Sequence, residues 1–207
     1  GQLVWPCAIM AARIVPGVDN RKGVKMKVFK QWADRKYPLA ARIMVLVLAG
    51  LIFAILIPSL LLVTLPGLGA KLGLLQLHFG MVNLLIGAVF ILVGFIYAAW
   101  SILSQVILAN GTPVPVMPTQ KLLVVGPFKQ CRNPMVFGTV MAYLGCSILA
   151  GSLLSVAAVI LFAVLLVIYI KRIEEKELEA RFGQEYLEYK QSTPFIIPEL
   201  IQRKEKK

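Results

Sequence analysis

Long stretches without a single charge constrain this chain more than anything else in it. Ile43 to Leu65 is 23 uncharged residues, about 34 Å of helix at roughly 1.5 Å per residue, which crosses a hydrocarbon layer of about 30 Å with modest tilt. Pro58 should kink this run, and Pro66-Gly67 with Gly69 should stop it, because proline lacks the backbone donor and glycine resists helical order. Met81 to Leu108 is uncharged for 28 residues and Met135 to Ile170 for 36. The last run is too long for one crossing, and Gly151-Ser152 near its middle offers a turn. It therefore reads as a helical hairpin whose short first arm should tilt little or be buried against protein. The expected fold is an all-α polytopic membrane helix bundle with four long spans, about 43–65, 81–108, 135–150 and 152–170. Leu3 to Pro16 is apolar but short and broken by Pro6 and Arg13, and it reads equally as a truncated fifth span or an interfacial helix.

Composition agrees: 58% of the 207 residues are apolar and 15% are charged, far from the mix of a soluble domain. The net charge of +12 would suggest nucleic acid if it were spread over a soluble face. Instead 20 of the 22 Lys and Arg fall in three segments, 21–42, 109–134 and the tail from Lys171. By the positive-inside rule these segments are cytoplasmic, while the connection holding Lys71 and the turn at Gly151 face out. Basic charge is thus explained by topology and by attraction to anionic lipid, and nucleic acid is not an expected partner. Cys7, Cys131 and Cys146 are widely spaced and the chain has one His. Neither a disulfide framework nor a metal site is expected, and the cysteines read as free thiols.

No Asp, Glu, Lys or Arg interrupts the four spans, which argues against a transporter with a buried ionisable path. Thr64, Asn83, Ser101, Ser104, Gln105 and Tyr143 read as helix-packing contacts, and His78 as an interface residue on the outer side. Chemistry is better placed on the cytoplasmic side. Gly111-Thr112-Pro113-Val114-Pro115, with Pro118, makes a stiff extended connection. Gly126-Pro127-Phe128 and then Arg132-Asn133-Pro134 precede an apolar run, so that Asn133 serves as N-cap and Pro134 as first helical residue. A helix start with an arginine beside it can also hold a carboxylate or phosphate. Glu174 and Glu175 follow the last span in a charged helix, with Lys171–Glu175 and Glu177–Arg181 at i,i+4 spacing. A zwitterionic, cationic ligand between Arg132 and these acids would satisfy both sets of charge.

The order Gly-Thr-Pro-x-Pro, Leu122, Gly126-Pro127-Phe128, Arg132-Asn133-Pro134-Met135-x-x-Gly138, Glu174-Glu175-x-x-Leu178-x-x-x-Phe182-Gly183-x-x-Tyr186-x-x-Tyr189 and Pro198 resembles the integral-membrane methyltransferases. These include isoprenylcysteine carboxyl methyltransferase and phospholipid methyltransferase. The resemblance implies S-adenosylmethionine as cofactor, held on the cytoplasmic side by Gly126, Pro127, Phe128, Arg132, Asn133, Pro134, Gly138, Glu174 and Glu175, with Arg132 and Glu175 carrying catalysis. It implies a methyl acceptor that is lipophilic and enters laterally from the bilayer. The domain would be 43–207, with a cofactor loop at 109–134 and a tail at 171–198 that includes a cytoplasmic helix, preceded by the N-terminal segment 1–42. Asn133 stands where the family usually has His, which removes an imidazole base but leaves a donor and an acceptor. Val136 stands where it often has Tyr. A carboxylate acceptor needs no base; an amine acceptor would, with Tyr186, Tyr189 or a Glu as candidates.

Two rivals remain at this level: a membrane reductase of the sterol reductase type using NADPH, and a non-catalytic membrane adaptor or small transporter. The soluble methyltransferase plan, a strand followed by a glycine-rich loop, is absent, and Gly67 to Gly73 reads as a turn.

Overall fold

A computed structural model describes residues 38–109 and 121–199. The Leu3–Pro16 segment, most of the basic 21–42 segment, Cys7 and the Gly111–Pro118 connection lie outside the described residues. Within them the chain is helical: α1 (residues 39–71), α2 (Met81–Leu108), α3 (Pro134–Leu149), α4 (Leu153–Phe182) and α5 (Gln184–Ser192), with a short 3-10 turn at Gly126–Lys129. There is no strand among the described residues, only one isolated antiparallel bridge between Gln76 and Ser152. Among the described residues three helices are long and apolar enough to cross a membrane: α1 over Ile43–Lys71, α2, and α4. The protein is an integral membrane protein.

The hairpin forms at Gly151, whose φ of +61° suits glycine and where a Cβ would sit 2.7 Å from the Leu77 carbonyl. Helix α3, 16 residues long or about 24 Å, has no exposed residue. It is the central helix, surrounded by α1, α2 and α4, as expected for an arm too short to face lipid on its own. It meets α2 almost backbone to backbone. Gly87 and Gly94 of α2 face Gly145 and Gly138 of α3, and a Cβ on Gly138 would lie 2.6 Å from both the Ala98 nitrogen and the Gly94 carbonyl oxygen. Without a hydrophobic drive between helices in lipid, such close approach is a main source of association.

Helix α1 departs from expectation. Pro66 does not stop it; the helix runs on to Lys71, so Gly67 and Gly69 are helical and the turn begins only at Leu72-Gly73. The prolines are absorbed by two π-helical stretches, Leu51–Leu56 and Leu60–Thr64. In these the Ile57 N–H bonds the Ile52 carbonyl and the Leu65 N–H bonds the Leu60 carbonyl, five residues back. The next donors in each series would be residues 58 and 66, both proline, so the carbonyls of Phe53 and Leu61 are left without a helical partner. Each is capped from the hairpin: the Tyr143 hydroxyl donates to the Phe53 carbonyl at 2.7 Å, and the Ser155 hydroxyl to the Leu61 carbonyl at 2.9 Å. An unpaired carbonyl in hydrocarbon is costly, so these two bonds both permit the prolines and fix the register of α1 on the hairpin. Tyr143→Phe and Ser155→Ala should each destabilise the folded state by about 1 kcal/mol. Thermal melting in one detergent checks this, and wild-type melting of both variants would refute it.

At one end of the bundle the α1–α2 connection is tied to the hairpin turn. The Leu77 N–H donates to the Gly151 carbonyl at 2.7 Å. The Asn83 amide donates to the carbonyls of Leu77 and Ile148, both at 2.7 Å, and accepts from the Phe79 N–H. The Lys71 connection and the Gly151 turn therefore share an end, and the Arg132 loop, Glu174 and Glu175 occupy the other.

Candidate functional site

At that other end the chain between α2 and α3 makes two tight features. Gly126 has φ +57°, a conformation other residues avoid, and lies against the Trp100 indole. The buried Pro127 then offers its carbonyl to the N–H groups of Gln130 and Cys131. Asn133 holds the N-cap position before Pro134 as expected, but its side chain caps nothing. Its Nδ2 donates instead to the Phe195 carbonyl at 2.9 Å.

This bond belongs to a strap. Residues 193–199 cross the Arg132 loop, with the Arg132 N–H donating to the Pro194 carbonyl at 2.8 Å and the Glu199 N–H to the Gln130 carbonyl at 2.9 Å. The Arg132 Nε donates to the Thr193 carbonyl at 3.1 Å, and the guanidinium and the Lys171 ammonium both stand over the Phe195 ring. Glu175 is buried, and its carboxylate is ion-paired to Arg132 through one oxygen and to Lys190 at 2.9 Å through the other. Lys190 also reaches Glu179 at 2.7 Å, and these hydrogen bonds to Glu179 and Glu175 hold its ammonium above the usual lysine range. The expected Lys171–Glu175 pair is thus replaced, because Glu175 turns inward to Arg132; the Glu177–Arg181 pair forms at 3.3 Å.

A cavity of about 380 Å³ opens beside this network. Arg132, Asn133, Pro134, Phe128 and Glu174 line it. Gly126, Pro127, Gly138 and Glu175 do not: the first two shape the loop, Gly138 seats α3 on α2, and Glu175 braces Arg132 from behind. Residues 170, 174, 177, 178 and 181 of α4 all face the cavity. This i, i+4, i+7, i+8, i+11 stripe adds Glu177 and Arg181 to the polar end, and its helical periodicity was visible in the sequence. Gln105, expected to be a packing residue, also lines the cavity, as do Tyr186 and Tyr189.

Burial pushes the phenols of Tyr186 and Tyr189 above their usual range, and the Tyr189 hydroxyl donates to the Phe128 carbonyl at 2.6 Å. Both phenols hold their protons, Tyr189 as a donor and Tyr186 with its oxygen accepting from Arg132, so they are poor candidates for a base. Burial likewise pushes the Cys131 thiol up to about 11, which makes it a packing residue rather than a nucleophile. Among the described residues no cluster of His, Cys, Asp or Glu could hold a metal ion.

The polar end of the cavity thus combines two guanidinium groups, two carboxylates and an amide, and its walls are otherwise aromatic and aliphatic. That set matches an amphoteric ligand carrying an apolar ring or tail. A family model described as phospholipid methyltransferase matches residues 82–185, half of the chain, which takes in α2, the Arg132 loop, the hairpin and Glu174-Glu175. No curated protein and no solved structure matches the chain.

Proposed function

Since the chain belongs to the phospholipid methyltransferase family, we propose that it transfers a methyl group from S-adenosylmethionine to a lipophilic acceptor, a phospholipid-like headgroup or an isoprenylcysteine-like carboxylate. The observation that supports this reading most is the cavity itself, charged at the Arg132–Glu174 end and apolar where it runs between α3 and α4. We place this end on the cytoplasmic face, following the basic segments, with all four apolar helices crossing the membrane.

When bound, the cofactor supplies an electrophilic methyl group on a sulfonium. The residues present fit it. Arg132 has five N–H donors, and its bonds to Thr193, Glu175 and Tyr186 leave some of them over, so the guanidinium can serve a carboxylate at the cavity wall. Glu174 and Glu177 offer acceptors for an ammonium and for hydroxyls, and Phe128 and Tyr189 flank a slot for a ring. The chain's work in the transfer is alignment and exclusion of water, since charge is neutralised on a carboxylate acceptor and only relocated to nitrogen on an amine. A carboxylate acceptor attacks without losing a proton. An amine acceptor must first give one up, and Glu174 or Glu177 then receives it.

Calorimetry with S-adenosylhomocysteine on the detergent-purified protein tests this, with NADPH as parallel ligand. We expect micromolar affinity for the former, weakened about tenfold in Glu174→Gln, equivalent to about 1.4 kcal/mol. Binding of NADPH alone, or of neither ligand by folded protein, would overturn the reading.

A further inference from the structure

The cavity reaches much deeper than its charged end requires. Glu174 and Phe162 line the same space from positions twelve residues apart on α4, about 18 Å along the helix. Met135, Val136 and Thr139 of α3 and Leu166 of α4 form the walls between. At the far end stand Phe162 and, from α1, Phe53. Beyond them the interior is filled. Tyr143 packs on Phe162 with ring centroids 5.8 Å apart and belongs to the buried cluster of Leu61, Tyr143, Cys146 and Val159. The same Tyr143 fixes the backbone of Phe53 through its carbonyl. The result is an apolar slot with one charged mouth and one aromatic floor.

We propose that Phe53 and Phe162 are specificity-determining residues whose rings limit the length of hydrocarbon tail that the acceptor can insert. The inference rests on the methyl transfer reading, in that the mouth holds the acceptor's reactive group. A molecule with its polar group at Glu174 and a single alkyl chain running along α4 meets mainly aliphatic side chains, with Thr139 and Tyr169 among them, until it reaches the two rings. Each methylene it buries contributes similarly, and a methylene past the floor has nowhere to go. Phe53 comes from α1, outside the segment that the family model matches, whereas Phe162 lies within it.

The test uses the full chain exchanged into amphipol and titrated by calorimetry with lysophosphatidylethanolamines of increasing saturated chain length. Affinity should rise about fourfold per methylene and then become flat at a definite length. Phe162→Ala should move the break to longer chains and Phe162→Trp to shorter ones. Opposite shifts cannot come from general loss of structure, and the Trp variant keeps the test open if the Ala variant does not fold. A rise without a break, or a break at the same length in all three proteins, would overturn the floor. S-adenosylhomocysteine is titrated into the same samples. A movable break without its binding would retire the methyl transfer reading and leave the slot, whereas its binding without a break would retire the slot alone.

Discussion

Gly94→Ala is expected to remove most of the folded protein from a mild-detergent preparation, although it adds one methyl group. The new Cβ would fall 2.5 Å from the Gly138 carbonyl oxygen and still closer to the Ala142 nitrogen. These are backbone atoms of α3, and they cannot rotate away. The two helices must separate, and the close contact that seats the Arg132 loop over the cavity is lost with them. We expect about 3 kcal/mol or more of destabilisation. Gly138→Ala, the reciprocal change, should behave alike. Gly50→Ala is the control, since a Cβ there meets nothing within 4 Å and alanine favours a helix over glycine. Size-exclusion profiles and melting curves of the three variants decide the matter; equal melting of Gly94→Ala and Gly50→Ala would sink the account.

Arg132→Ala should be the second severe change, for a different reason. It leaves the Glu175 carboxylate buried with Lys190 as its ionic partner and takes the Nε donor from the Thr193 carbonyl. Breaking a buried pair from one side costs about 3–5 kcal/mol. Replacing both partners with apolar residues of similar size, Arg132→Met with Glu175→Leu, should recover most of that stability, because no uncompensated charge remains. Cofactor affinity should not recover, since the guanidinium at the cavity wall is gone in both. Melting and S-adenosylhomocysteine titration of the single and double variants separate the two roles of Arg132. A double variant that binds like wild type would limit the residue to holding the strap.

Much of this architecture could be read from residue order. The 36-residue uncharged run with Gly151 at its centre announced the hairpin, because length alone forbids a single span. Arg132 and Glu175 meet as the paired motifs suggested. What was hidden depends on partners far away in sequence. Pro66 looked like a helix stop because its effect on Leu61 is local, while the hydroxyl that cancels it is 94 residues on, at Ser155. Glu175 looked like a cavity residue because it is next to Glu174, yet one step along a helix turns a side chain by about 100°, and this sent it inward to Arg132. The α2–α3 contact did leave a trace, the seven-residue spacing of Gly87-Gly94 and of Gly138-Gly145, which matters only once the helices are known to run antiparallel. The strap at 193–199 left none, since it acts through backbone carbonyls.

The two hydroxyl caps on α1 also bear on how anything gets in. They lie eight residues apart, about 12 Å along the helix, and both anchor backbone rather than side chain. A piston stroke of α1 by even one residue would strip both carbonyls at once and present them to hydrocarbon, so that motion is closed. Phe53 carries the first of these pinned carbonyls and lines the cavity, so whatever enters the slot must do so while α1 stays in register with the hairpin.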